Sequence, residues 1–422
     1  MFLKLALALL GLVLAVITPA LHTFFIRGNV FTEVAPLNAD QCKPMQLHTG
    51  KQATPASIKE ASQWTDRCED IAIYRPLQLA ILSCGSHDAR RKWFPPMARL
   101  DTSSDHNDVP VLLDLQTGQV TPMRMDGWNS SWDFRPHGIS MYVPPDLRKE
   151  PSLTVGFVNH RRDWSVIELF DWHPGDTHLK WRDTIKNKFI TTPNDLTMTS
   201  SEAFYVTNDH RHRFPGVWRT LEEYLQRPWS NVMYRNDRGK VTVATDGLAY
   251  ANGIASKTLR DGTVEIWVAA SLELCVKVYH QKQGGRVQSG SLRHMYDVEL
   301  DFVPDNLDID EDGAVYVAGH PKILNFIAER LNREGDWVHK IKAMFPAYSK
   351  VARIVNATGE QAFMGHPYKV EMVFADQGKT FRATSIAVAN RKRGRMWLGA
   401  LGSSGVGQCD LSSMKVVPYE HK

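Results

Sequence analysis

Polar and apolar positions follow one another along this chain in six similar units. Each unit opens on polar residues, enters a short apolar stretch, turns, and closes on a second apolar stretch rich in Val, Ile, Tyr and Trp. The first two are Glu69–Ile73 with Leu79–Leu82, and His137–Met141 with Leu153–Val158. Then come Asn194–Met198 with Ala203–Val206, and Asn252–Ala255 with Glu265–Ala269. The last two are Asn306–Asp310 with Ala314–Ala318, and Thr384–Val388 with Arg395–Ala400. Runs this short and this β-branched predict strands. Asp261-Gly262, Asp312-Gly313 and Arg393-Gly394 supply turn chemistry between them, and Arg391–Arg393 reads as a solvated hairpin tip. One stretch departs from the pattern. Over 217–234, Trp218, Leu221, Leu225 and Trp229 form an apolar stripe, which predicts a helix lying on the main body; a lipid-facing helix is the other reading.

Six units starting 54 to 78 residues apart, each a small antiparallel sheet, predict an all-β fold. The architecture is a six-bladed β-propeller with short helices on its top face. A two-sheet sandwich is the rival, but it does not account for polar residues recurring at the same point of every unit. In a propeller the inner strand of each blade lines the central channel, so those residues converge at one mouth of the tunnel. They are Glu69 and Asp70, His137, Asn194 and Asp195, Asn252, Asp305 and Asn306, and Thr384. Burying so many carboxylates and amides is costly unless something compensates them. A hard cation does so, and Ca²⁺ takes six to eight oxygen ligands of these types. Thiolates are absent and one His is present, which disfavours Zn²⁺. The plain alternative is that Asn and Asp merely end strands; recurrence in register argues against it.

The composition narrows the picture. The chain has 422 residues, 43% hydrophobic, with 12 Trp and a formal net charge of +4. That excludes a disordered chain, and it disfavours a nucleic-acid binder, which needs a basic footprint. The N-terminus carries Lys4 and then an apolar run from Leu5 to Ile17, a secretory signal pattern that can also be stretched to a bilayer-spanning anchor. Residues 1–27 are therefore expected to be a signal peptide or a retained N-terminal hydrophobic helix, and 28–422 a single propeller, secreted or membrane-anchored. Disulfides are permitted on that route. Cys42 and Cys409 lie near the two ends of the folded region, where a bond would tie the first blade to the last. Cys68 and Cys84 flank a hairpin, and Cys275 is left over. Buried free thiols are the alternative for each. Asn129 and Asn356 head N-x-S/T triplets, candidate glycosylation sites. No nucleophilic serine elbow supports a covalent route: Gly402–Gly405 comes near one but lacks the helix that should follow.

The ordered motifs resemble the serum paraoxonase/arylesterase family. They are Glu69–Ile71, Phe134–Ser140 (FRPHGIS), Val158–His160, Asn194-Asp195, Thr207–His210, Ala251–Ile254, Pro304–Asp310 and Gly319–Pro321. The resemblance implies a calcium-dependent hydrolase of lactones and aryl esters with two ions in its tunnel. A catalytic ion would be held by Glu69, Asn194, Asn252, Asp305 and Asn306. A deeper structural ion would be held by Asp70, Asp195 and the carbonyl of Ile139. It also implies a Cys42–Cys409 bond. On this reading His137 is the general base, His160 orients it or relays its proton, and His320 lines the site. His210 and His212, in a charged turn, read as surface. The Cys84–Pro96 loop departs from the family's usual lid and carries Arg90, Arg91 and Trp93, with Trp93 expected in the substrate pocket. The rival functions are a non-catalytic, calcium-stabilised propeller that binds a ligand or partner, and a gluconolactonase- or strictosidine-synthase-type enzyme. The expected partner is a small lactone or ester, with membrane contact only through the N-terminal segment.

Overall fold

The computed structural model describes Thr18, His22 and residues 33–281, 290–325, 340, 346–358 and 367–419. Apart from Thr18 and His22, the expected signal or anchor at 1–27 lies outside the described residues. Among the described residues no helix is long and apolar enough to cross a membrane. The strands form six sheets of four or five strands, with one additional two-stranded hairpin. The innermost strands of blades 1 to 6 are Asp70–Tyr74, Pro136–Tyr142, Pro193–Met198, Ala251–Thr258, Val303–Ile309 and Thr384–Asn390. Each packs on the next, and the sixth returns to the first, so the ring closes. The fold is the six-bladed propeller that the repeats predict.

Closure uses both ends of the chain. Cys42–Pro44 pairs antiparallel with Gly407–Asp410 as the outer strand of blade 6, placing Cys42 opposite Cys409. The two cysteines are bonded, as are Cys68 and Cys84, while Cys275 is a buried thiol. The core lies in wedges between neighbouring blades. Tyr74, Phe134, Phe157, Phe170 and Trp172 fill the first, and Trp267, Phe302 and Val317 the fourth. Full burial of each large side chain is worth roughly 2–3 kcal/mol. A blade that packs on both faces needs apolar residues on both, which is why Leu153–His160 is buried along its whole length.

The inner strands are interrupted where the repeat is polar. In blades 2 to 5 the register slips so that two inner-strand residues face one residue of the next strand. The doubled pairs are His137-Gly138, Asn194-Asp195, Asn252-Gly253 and Asp305-Asn306. A bulge of this kind removes a residue from the ladder and re-aims its side chain. Glycine is required in two of the pairs because the neighbouring strand is too close for a side chain. A Cβ on Gly138 would stand 2.5 Å from Asp195 Oδ1, and one on Gly253 2.5 Å from Asn306 Cα.

Among the described residues, the α-helices that bear on the site or the ring's rim are α1 (Pro55–Trp64), α2 (His87–Lys92) and α3 (Val217–Tyr224). Two expectations are corrected. The helix expected over 217–234 stops at Tyr224, and Ser230–Arg235 is instead the third strand of blade 3. Of its predicted stripe, Trp218 is exposed, whereas Leu221, Leu225 and Trp229 are half-buried. Arg219 and Glu222 are buried, whereas Val217, Trp218 and Tyr224 are exposed. The Cys84–Pro96 stretch is not an irregular loop: it holds α2 and the strand Trp93–Phe94, which pairs with Arg99–Leu100.

Candidate active site

At one end of the tunnel the bulged pairs surround a cavity of ≈ 280 Å³. Glu69, His137, Asn194, Asn252, Asp305 and His320 all reach it. Asn306, buried, joins them through its amide, which donates to Glu69 Oε1 at 2.6 Å. The other two amides likewise spend their nitrogens on protein acceptors. Asn252 Nδ2 donates to Ser271 Oγ at 3.1 Å, and Asn194 Nδ2 leans toward Asp209 Oδ2 at 3.4 Å. Their oxygens are left over: Asn194 Oδ1, Asn252 Oδ1, Asn306 Oδ1 and Glu69 Oε2 are buried with no hydrogen-bond partner. Leaving one such atom unsatisfied costs about 1–3 kcal/mol, and here four occur together. Among the described residues, no three His, Cys, Asp or Glu side chains make a metal site by themselves. Amide oxygens complete this set, which makes it a cradle that can hold a hard, oxygen-seeking cation.

The charges point the same way. Burial, with the neighbouring Glu69, pushes the Asp70 carboxyl well above the usual range, and burial, with Asp70, does the same to Asp195. Burial also raises Asp305, although His320 Nε2 at 3.0 Å partly offsets it. Glu69 is the exception: burial would raise it, but His137 once protonated, and then Arg90, hold it below the usual range. A bound cation would reverse the three upward shifts.

Deeper in the tunnel, Asp70, Ile139 and Asp195 line a second cavity of ≈ 160 Å³. Each carboxylate oxygen there already accepts one backbone N–H. Asp70 takes those of Ile71 and Ile139, and Asp195 those of Leu196 and Ile254. Carboxylate oxygens keep a second lone pair, so the pair can still ligate, but no oxygen of these two side chains is orphaned as in the upper cradle. Ile139 meets Asp70 through its N–H.

Beside the cradle the histidines form a chain. His137 Nε2 lies 3.3 Å from Glu69 Oε1, His137 Nδ1 lies 2.9 Å from His160 Nε2, and His160 Nδ1 lies 2.9 Å from Ser165 Oγ. Burial, then the neighbouring His137, Arg213 and Arg90, push His160 well below the ordinary imidazole value. His160 is therefore neutral.

The other sequence expectations divide. His320 reaches the cavity, but Trp93 is not among its lining residues. Trp93 turns away to donate from Nε1 to the carbonyl of His160 at 2.7 Å, and the next residue, Phe94, takes the wall, 5.0 Å ring to ring from His137. Successive strand residues point oppositely, so the cavity gets one of the two. His210, expected at the surface, is buried between Asp209 Oδ1 at 2.8 Å and Glu223 Oε1 at 3.0 Å; the TNDH string of Thr207–His210 that carries it was the available signal. Arg90 is buried too, donating to the carbonyls of Arg67 and Pro136. Met97, Glu223, Tyr250 and Leu401 line the cavity without any sequence signal. Thr384 Oγ1 is buried without a partner, and its neighbour Ser385 donates to the carbonyl of Glu69. Asn129 and Asn356 are exposed.

Residues 68–410 match the family model described as Arylesterase. The chain is 28% identical over 387 residues to serum paraoxonase/arylesterase 2 of Gallus gallus, covering 91% of this chain and 93% of that one. It is 27% identical to serum paraoxonase/arylesterase 1 of Mus musculus, over 96% and 99% of the two chains. Against serum paraoxonase/lactonase 3 of Homo sapiens identity is 26%, over 90% and 93%.

Proposed function

The chain belongs to the arylesterase family and is a carboxylic-ester hydrolase of the esterase and lactonase type, and we propose that it works by calcium-assisted attack of water on lactones and aryl esters. The observation that carries this reading is the set of four buried, unpartnered oxygens beside His137. Glu69, Asn194, Asn252, Asp305 and Asn306 would hold the catalytic ion, and Asp70, Asp195 and the Ile139 carbonyl a structural one. When bound, Ca²⁺ supplies a fixed positive charge that polarises the ester carbonyl and favours the negative charge developing on its oxygen.

The chain's own residues do the rest. His137 takes a proton from a cavity water at Nε2, the nitrogen that faces Glu69 and the cavity. This requires its Nδ1–H to donate to His160 Nε2, and His160 in turn to donate from Nδ1 to Ser165 Oγ; that tautomer chain is assigned from the contacts. His160, kept neutral by burial, does not accept the proton, so the proton stays on His137 and is available for the leaving oxygen. His160 is thus a positioning residue. Phe94 covers the pair and excludes bulk water. The two disulfides and the exposed Asn129 and Asn356 triplets support folding in the secretory pathway.

The test is hydrolysis of phenyl acetate and of aliphatic lactones, before and after exhaustive chelation and after Ca²⁺ is restored, in wild type and in Asn252→Ala. Turnover is expected to vanish with chelation, return with Ca²⁺, and stay low in the variant. Turnover that survives chelation overturns the metal-assisted reading and leaves the hydrolase without its proposed electrophile.

A further inference from the structure

One wall of the upper cavity comes from α3, the helix that buries its charged side. Arg219, only 3% exposed, is the reason. Its Nη2 donates to the carbonyl of Pro96 at 2.7 Å, its Nη1 to the carbonyl of Arg213 at 3.0 Å, and its Nε to Glu223 Oε1 at 3.2 Å. The guanidinium therefore joins α3 to the segment after Phe94 and fixes a carboxylate between them. Glu223 Oε1 also faces His210 Nε2 at 3.0 Å. Arg219 and His210 both hold Glu223 from outside the cavity, since neither lines it, whereas Glu223 does.

Among the described lining residues there is no Lys or Arg. The other two lining carboxylates, Glu69 and Asp305, belong to the oxygen cradle. Glu223 is the one acidic residue among the described lining residues that the cradle does not use, and the two cations that hold its Oε1 lie outside the lining. We infer that Glu223 is the specificity-determining residue for substrate charge, disfavouring esters and lactones that carry an anionic substituent and favouring neutral or cationic ones. The inference rests on the hydrolase reading of this cavity but not on the identity of the ion.

A unit charge about 8 Å away, at an effective dielectric constant of about 30, changes a rate by roughly tenfold. Arg219 and His210 reduce that, so the expected discrimination is about five- to tenfold. The experiment compares kcat/KM at pH 8 for 4-acetoxybenzoate and for its neutral isostere 4-acetoxybenzamide, with phenyl acetate as the reference ester. In wild type the anionic ester is expected to be about five- to tenfold the poorer substrate. Glu223→Gln is expected to close that gap, and Glu223→Asp to keep it. A wild-type ratio near one overturns the inference without any variant having to fold. A gap that persists in Glu223→Gln, or that Glu223→Asp closes as well, also overturns it, because charge is then not its cause. Phenyl acetate turnover after chelation reports separately on the calcium reading, so the two can fail independently.

Discussion

Nδ1 of His137 lies 2.9 Å from Nε2 of His160, with both rings buried under Phe94. The contact is unequal, because His137 reaches the cavity and His160 ends on a serine hydroxyl. His137→Gln is expected to lower kcat/KM for phenyl acetate by about 10²- to 10⁴-fold, the usual contribution of a positioned base. His160→Gln, which removes orientation but leaves the base, is expected to cost about tenfold, mostly in kcat. Steady-state kinetics of the two variants check this. Equal losses would make the pair a single acid–base unit, and a small loss in His137→Gln would move the base elsewhere.

The two ends of the tunnel are expected to respond differently to substitution. Asn252 offers an unpartnered oxygen to the upper cavity, so Asn252→Ala should lose activity while folding normally. Asp195 bridges blades 3 and 4 by accepting the N–H of Ile254, beside Asp70. Asp195→Ala should therefore melt at lower temperature and lose most of the stabilisation that added Ca²⁺ gives wild type. For an ion present at a hundred times its Kd, that stabilisation is about 2.7 kcal/mol. Thermal melts with and without Ca²⁺ decide it. An Asp195→Ala protein with the wild-type calcium response would remove the lower ion from the scheme.

Much of this was legible in the chain because one repeat carries both the fold and the site. Glu69, Asn194, Asn252 and Asn306 open their units, and a propeller places unit openings on its axis. The bulges were not legible. Strand alternation alone explains why Glu69 and Asp70 face different cavities, but Asn194-Asp195 and Asp305-Asn306 sit where the ladder slips, and slippage depends on the facing strand. The same holds for the peripheral wall. Phe94 replaces Trp93 in the cavity because the hairpin with Arg99–Leu100 sets its register. Trp218 of the predicted stripe is exposed while its neighbour Arg219 is buried, because Arg219 finds the Pro96 carbonyl, 123 residues away in sequence. Periodicity reports which side chains share a face, and long-range partners decide which face is buried.

The two disulfides make a contrasting pair. Cys42–Cys409 spans 367 residues and Cys68–Cys84 spans 16. In the chain-entropy model the long bridge contributes about 5–6 kcal/mol and the short one about 3. Replacing Cys42 and Cys409 together by Ala should lower Tm more than replacing Cys68 and Cys84, with kcat per folded molecule unchanged, because the closure of blade 6 lies away from the cavity. The Cys68 and Cys84 pair should show the reverse emphasis. Cys68 directly precedes Glu69, so kcat should fall even though the stability loss is smaller. Melts and active-site-normalised rates separate these effects, and a long-bridge variant that melts like wild type would show that strand pairing alone closes the ring.

His210 makes stability depend on pH. Burial opposes its charge, but Asp209 on one nitrogen and Glu223 on the other outweigh that and raise its pKa. An imidazole between two carboxylates satisfies both only when both nitrogens carry protons. A group whose folded pKa is raised gives stability that is fully present below its unfolded value, about 6.5, and that is lost as pH rises through the folded value. The Tm gap between wild type and His210→Gln should therefore be widest near pH 6, where breaking a buried pair costs roughly 3 kcal/mol, and should narrow toward pH 9. Glu222 and Arg219 hold their backbone contacts at both pH values, so α3 stays docked and the narrowing reports on His210 itself. Melts of both proteins across that range settle the sign: a gap that widens with pH would mean that His210 is buried neutral.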